Sequence, residues 1–274
     1  MAGKIKILHN IVVFLLLIIF SDNSYSEDNS VAGGVVYFPL SQDEISHDFY
    51  YKNQLVTKIE RNNQIYLMFG IPYHSDEGLN EFIFNSDKRK KTINVRVDKK
   101  KYGSQKINIK KYKNKSKDDQ DRISIERNQI IKAKKRGYEK YPDIRFIMPS
   151  QGITSGIYGT ERYYNGKKGR FHNGHDIAAE IGTYIFAPSA GKVMLTGDYY
   201  YNGKFVMINH GNNLISMFLH MDQISVSNEQ IVKKGQKIGT IGNTGLSTGP
   251  HLHWSVIINN EYIDPLIFVD KVTP

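Results

Sequence analysis

Residues 233–254 read KKGQKIGTIGNTGLSTGPHLHW, and this stretch decides what the second half of the chain is. Its apolar runs are short, its turns are dense in Gly, Asn and Ser, and it ends on His251-Leu252-His253. Side chains two apart on a strand leave the same face, so His251 and His253 project together while Leu252 turns into the core. Gly242, Gly245 and Gly249 shape the turn that delivers this strand, and Pro250 fixes the approach to it.

Working upstream, RFHNGHDIAAEIGT at 170–183 spaces His172 and Asp176 four apart, again the same parity. Gly174 between them allows close backbone approach. Two imidazoles and a carboxylate meeting at one point make a metal site with a fourth position open to water. Six of the nine histidines fall between His172 and His253. Cysteine is absent, which excludes thiol nucleophiles, disulfides and Cys-containing metal sites, so a metal must be held by His, Asp or Glu. From Phe146 onward strand-length runs such as 204–209, 214–219 and 254–258 alternate with tight turns, and no helical periodicity appears after Gly137. This half reads as mainly antiparallel β.

The first half is built differently. From Gly33 to about Lys113, β-branched and aromatic runs (35–38, 64–69, 92–97) are separated by turn material, which predicts a small β-domain over 33–113. Residues 114–140 follow as a charged helical connector ending near Gly137. The chain of 274 residues carries a net charge of +10, but the charge is local: residues 1–87 sum to −6, 88–140 to +15 and 141–274 to +1. The basic segment lacks the interleaved aromatics that stack bases, which argues against nucleic acid. Either it is a solvated helix tying two domains together or it grips an anionic envelope polymer.

The N-terminus has the form of an export signal. Lys4 and Lys6 precede an apolar run from Ile11 to Phe20, and Ser24-Tyr25-Ser26 supplies small residues at the cleavage positions. Ten apolar residues are too few for a spanning helix, which needs about 20. Cleavage after Ser26 is expected, with no stable membrane anchor afterwards and the mature protein in the periplasm or cell envelope.

RFHNGHDIAAEIGT, NHG at 209–211, FLH at 218–220 and the 233–254 stretch together resemble the lysostaphin-type (LytM-domain) zinc metallopeptidases of bacterial cell-wall metabolism. The resemblance covers about 146–270 and implies a mainly β fold: a C-terminal antiparallel sheet domain of the lysostaphin type, preceded here by the small β-domain and the connector. It implies one zinc ion bound by His172, Asp176 and His253, with His220 and His251 as the two non-ligand catalytic histidines. Which of those two is the general base stays open. It further implies hydrolysis of peptide cross-links in peptidoglycan, and the extra N-terminal domain points to the D-alanyl–diaminopimelate bond of Gram-negative murein. Two positions depart from the family pattern. His175 stands where relatives carry an aliphatic residue, and by parity it faces away from the site as a structural residue. Phe218 stands where many relatives carry Tyr, so any hydroxyl contribution must come from elsewhere. His210 in NHG is expected to be a strand-end hydrogen-bonding residue, and Asp264-Pro265 a closing turn. The alternative reading is a silent or latent wall-binding module that regulates other hydrolases, with residues 33–113 partly covering the cleft.

Overall fold

A computed structural model describes residues 30–87, 89–107 and 115–269. The export signal at 1–26 lies outside the described residues.

The first part holds β1 (Val35–Pro39), β2 (Tyr50–Tyr51), β3 (Gln54–Leu55), β4 (Thr57–Arg61) and β5 (Gln64–Gly70). It continues with β6 (Gly78–Asn85), β7 (Lys90–Val97) and β8 (Ser104–Ile107). Strands β1-β5-β4 form one antiparallel sheet and β3-β2-β6-β7 another, and an aromatic core of Phe38, Phe49, Phe69, Phe82 and Phe84 lies between them. The β4–β5 turn places Asn62 and Asn63 at positive φ, the left-handed geometry that two-residue hairpins need. On β7 the burial alternates strictly, as a half-buried strand should. On β5 it does not. Leu67 and Phe69 face the aromatic core, whereas Met68 joins Val35 and Ile59 in the core of the second part. The β1-β5-β4 sheet is therefore buried on both faces along β1 and β5, which is why those two strands read as near-continuous apolar runs.

Helix α1 (Lys117–Lys134) follows. Ser116 and Asp119 form a reciprocal capping box, and Arg122 pairs with Glu126 one turn on. The second part contains β9 (Ile153–Gly156), β10 (Glu161–Tyr164), β11 (Lys167–Phe171), β12 (His175–Ala178), β13 (Tyr184–Phe186) and β14 (Gly191–Tyr199). It ends with β15 (Gly203–Asn209), β16 (Ile215–Ile224), β17 (Ile231–Val232), β18 (Lys237–Ile241), β19 (His251–Ile258) and β20 (Glu261–Ile263). The main sheet runs β17-β14-β15-β16-β19-β12-β9, antiparallel throughout, with β18 paired to both β16 and β13 and β20 paired to β19. The fold is mainly β, as the sequence predicts.

The two faces of this sheet differ. Phe218, Leu252, Trp254 and Val256 point to the main core, where each fully buried large side chain contributes about 1.5–3 kcal/mol. Their alternates Leu219, Met217, Ile215 and Ile257 point the other way, together with Met207 and Leu195. Against that second face lies α1, through Ala133 (0% exposed) and Ile130. The helix hydrogen-bonds the sheet as well: Arg122 Nη2 donates to Asp198 O (3.0 Å), and Tyr200 N donates to the half-shielded Glu126 carboxylate (2.9 Å).

The two parts are joined at several points. Strand β8 pairs in parallel with β10, the Tyr73 ring stacks on Phe171 (3.7 Å between centroids), and Tyr73 Oη donates to Gly159 O (2.9 Å). Asn259 in the β19–β20 turn accepts from Gly70 N and donates to Gly70 O, tying β5 to the main sheet.

Candidate metal centre and active site

Strands β12 and β19 pair with Asp176 opposite His253 and Ala178 opposite His251. Asp176, His251 and His253 thus share one face, with Leu252 fully buried behind them. His172 reaches the same point by a different route. It lies in the connection between β11 and β12, so a turn brings it in and strand parity does not. Gly174 lets that turn close, because a Cβ there would stand 2.5 Å from Trp254 O and 2.7 Å from the His253 ring.

The three groups converge tightly. Asp176 Oδ1 is 2.9 Å from His172 Nε2 and 2.7 Å from His253 Nδ1, and the two nitrogens are 3.1 Å apart. All three residues are buried, and their ligand atoms lie within 4.8 Å of one another. Burial alone would push the Asp176 carboxyl up, but the His172 and His253 imidazoles packed against it hold it far below the usual range, so it stays an anion. The tautomers favour a metal. His172 Nδ1 donates to Ile157 O (2.9 Å), and since a carbonyl only accepts, Nε2 carries the lone pair. His253 Nε2 shares a hydrogen bond with Ser255 Oγ (2.8 Å), leaving Nδ1 toward the carboxylate. Two imidazole nitrogens, one carboxylate oxygen and an outer ring of orienting partners fit a zinc-type site.

His220 and His251 stand beside this cluster with their rings 4.8 Å apart. His251 Nδ1 donates to Gly249 O (2.8 Å) and its Nε2 is 4.0 Å from Asp176 Oδ1. His220 Nδ1 donates to Thr244 O (2.9 Å). In both rings Nε2 is the free acceptor. Burial pushes His220 down to about 4, so it is neutral at physiological pH. Plain alternation would have sent His220 into the core with Phe218. Instead the β15–β16 register slips between Val206↔Phe218 and Lys204↔Met221, and His220 sits in this bulge at φ 63°. The bulge brings it to the metal side.

The other histidines are elsewhere. His210 is fully enclosed: Nδ1 donates to Ala190 O (3.0 Å) and Nε2 meets Ser216 Oγ (2.8 Å). His175 is buried on the core side with Nε2 3.2 Å from Thr154 Oγ1. Phe218 is fully buried and offers nothing to the site. The turn glycines are uneven in their need. A Cβ at Gly242 or Gly245 would come within 2.4 Å or 2.2 Å of backbone nitrogen, whereas at Gly249 it would meet open space. Two contributors lie outside the motifs. Ser255, two residues past His253, was findable by parity. Arg162 on β10, with Nη2 3.6 Å from Asp176 Oδ2, carries no local signal.

The sequence profile of Peptidase family M23 matches residues 170–265. A solved structure described as a peptidase M23 from Pseudomonas aeruginosa superposes with a TM-score of 0.70 at 30% identity, covering 88% of this chain and 94% of that one. Among curated proteins, peptidoglycan DD-endopeptidase ShyA of Vibrio cholerae is 41% identical over 95 residues, 35% of this chain and 22% of ShyA. Peptidoglycan DD-endopeptidase ShyB of the same organism is 34% identical over 131 residues, 48% of this chain and 30% of ShyB. The chain thus spans less than a third of the length of these curated relatives. With the profile lying over the metal cluster and a solved relative matched along nearly its whole length, the chain belongs to Peptidase family M23.

Proposed function

We propose that the chain is a zinc-dependent endopeptidase of the cell envelope that hydrolyses peptide cross-links of peptidoglycan, the D-alanyl–diaminopimelate bond in particular. The convergence of His172 Nε2, Asp176 Oδ1 and His253 Nδ1, flanked by two further histidines with free Nε2 atoms, carries this reading. A zinc ion held by these three residues would supply Lewis-acid polarisation of the scissile carbonyl and a water acidic enough to react near neutral pH.

The remaining chemistry belongs to the side chains. With Nδ1–H committed to carbonyls, neither neutral histidine can donate from Nε2, so both first act as acceptors. His251 takes the proton from the attacking water, and His220, kept neutral by burial, accepts from the same water and aims it. Once protonated, His251 becomes a donor and passes the proton to the departing amine. Export by the N-terminal signal brings the enzyme to its substrate, and the basic residues of 88–140 would rest on anionic envelope polymers.

The latent reading is supported by one observation: α1 lies on the metal-bearing face of the sheet, over its apolar end. The 33–113 segment also reaches the edge of the site, through Gln105 on β8. The deciding experiment incubates residues 27–274 with a defined cross-linked muropeptide dimer, with and without chelator and zinc add-back, and identifies products by mass spectrometry. Zinc-dependent conversion to monomers, lost in His220→Ala and His253→Ala, supports the endopeptidase. Bound zinc with no conversion supports latency, and failure to hold zinc supports a regulatory module.

A further inference from the structure

Beside the metal cluster is a cavity of about 250 Å³ lined by Gln105, Thr154, Gly156, Thr160, Arg162 and His172, among others. Among the described residues, no carboxylate lines it. Arg162 approaches Asp176 from the side of Oδ2, the oxygen that neither His172 nor His253 contacts. At 3.6 Å this is an ion pair beyond hydrogen-bonding reach, and Arg162 Nε is buried with no hydrogen-bond partner among the described residues. A guanidinium offers five donors in a flat fork, so most of this one is unspent, next to a space that could hold its complement.

The surroundings are built for the same purpose. The β8–β10 pairing sets Gln105 beside Arg162, and paired residues of neighbouring strands leave the sheet on one face. The wall of the cavity is therefore finished by a strand from the first part of the chain. Gly156 keeps the passage open, because a Cβ there would stand 2.3 Å from Asp176 Oδ2.

We propose that this cavity is a carboxylate subsite, in which Arg162, assisted by Gln105 and the threonine hydroxyls, holds the free carboxylate of the residue that leaves as the amine. The inference rests on the endopeptidase reading above and narrows its substrate. Arg162 is so close to a metal-ligand carboxylate that an anion bound to it must lie close to the scissile bond. In a D,D cross-link the scissile carbonyl and the leaving residue's carboxylate are separated only by the amide nitrogen and one carbon. An interior glycyl–glycine bond has no such carboxylate. The pocket thus selects a bond whose amine side ends in a free acid.

The test uses zinc-loaded residues 27–274 and two matched peptides ending in D-alanyl–D-amino acid, one with a free carboxylate and one with a carboxamide. Wild type is expected to prefer the acid by roughly 100-fold in kcat/KM, because a site built around a charged partner rejects its neutral analogue strongly. Arg162→Gln brings the ratio close to unity, mainly through KM, and Arg162→Lys restores part of it. In parallel, NMR titration compares N-acetyl-D-alanine with N-acetyl-D-alaninamide on wild type and Arg162→Gln. Equal cleavage of both peptides by wild type overturns the subsite and leaves the endopeptidase standing. No cleavage of either, with Arg162-dependent binding of N-acetyl-D-alanine over its amide, keeps the subsite and replaces the active endopeptidase with the latent reading. An Arg162→Gln enzyme that loses zinc yet keeps the acid preference once reloaded overturns the proposal, because Arg162 would then serve only to hold Asp176.

Discussion

Along one face of β19 stand His251, His253, Ser255 and Ile257, the proposed proton acceptor, a proposed metal ligand, its hydrogen-bond partner and a purely apolar residue. The face changes character within four alternate positions. At the His251 end the neighbours are Asp176, His172 and His220. At the Ile257 end they are Ile215, Met217 and Met207, roofed by α1. The same pleat serves both ends, so strand geometry supplies only the facing direction. What equips one end for chemistry is the supply of fixed carbonyl acceptors, Ile157, Thr244 and Gly249, which set the tautomers of His172, His220 and His251. At the other end the face itself is apolar and α1 lies over it.

The comparison breaks most severely at the ligands. Asp176→Ala or His253→Ala should abolish zinc binding and lower turnover roughly a thousandfold or more, since several kcal/mol of transition-state stabilisation go with the metal. Stoichiometric zinc by elemental analysis in either variant would refute the ligand set. His220→Ala and His251→Ala should keep zinc and lose about 100- to 1,000-fold in kcat. Zinc loss in these variants would move them into the ligand group.

Behind the reactive end, on the core side, His210 gives a prediction of stability alone. Burial pushes it down to about 4, against an unfolded value near 6.5. Below pH 6.5 the unfolded chain takes up a proton that the native chain refuses. Its contribution is intact above pH 6.5 and is lost as pH falls toward 4, by about 3 kcal/mol in all. The His210 ring protons should hold their NMR shifts down to that pH; titration near 6.5 would mean water reaches the ring.

Smaller effects sharpen the boundary. Ser255→Ala removes the partner of His253 Nε2 and should weaken zinc affinity about tenfold, measured by competition with a chromophoric chelator. At the apolar end, Ala133→Arg forces a charge against Met194 and Ile257 and should loosen α1. The expected result is a lower melting temperature with unchanged zinc content and severalfold faster cleavage of whole sacculi. Slower cleavage would make α1 a support of the groove and not a cover.

Much of the reactive end was legible because it is local. His251-Leu252-His253 obeys period two, and Gly174 stands where the backbone must pass close to His253. His172 was placed correctly by parity for an incorrect reason, since a turn delivers it. The pairing of Asp176 with His253 is a register, and no local pattern encodes which residues of distant strands lie opposite. His220 was reachable only through resemblance, because the extra residue in β16 defeats alternation. Arg162 and Gln105 meet through a parallel pairing across more than fifty residues, which composition cannot announce. The roof over the apolar end was hidden for another reason: α1 is highly charged and contributes little more than Ala133 and Ile130 to the contact, so it reads as a solvated connector.

The bulge at His220 leaves a mark that evolution could read. A β-substituted residue held in the left-handed region costs about 1–2 kcal/mol, and glycine or asparagine would relieve much of it. In the mechanism proposed above, a proton-handling role repays a histidine there. A lineage that ceased to hydrolyse anything would be free to drift to glycine or asparagine at this position and would grow more stable in doing so. The identity of this one residue therefore separates descendants still selected for chemistry from those kept only as scaffolds, even where every metal ligand survives.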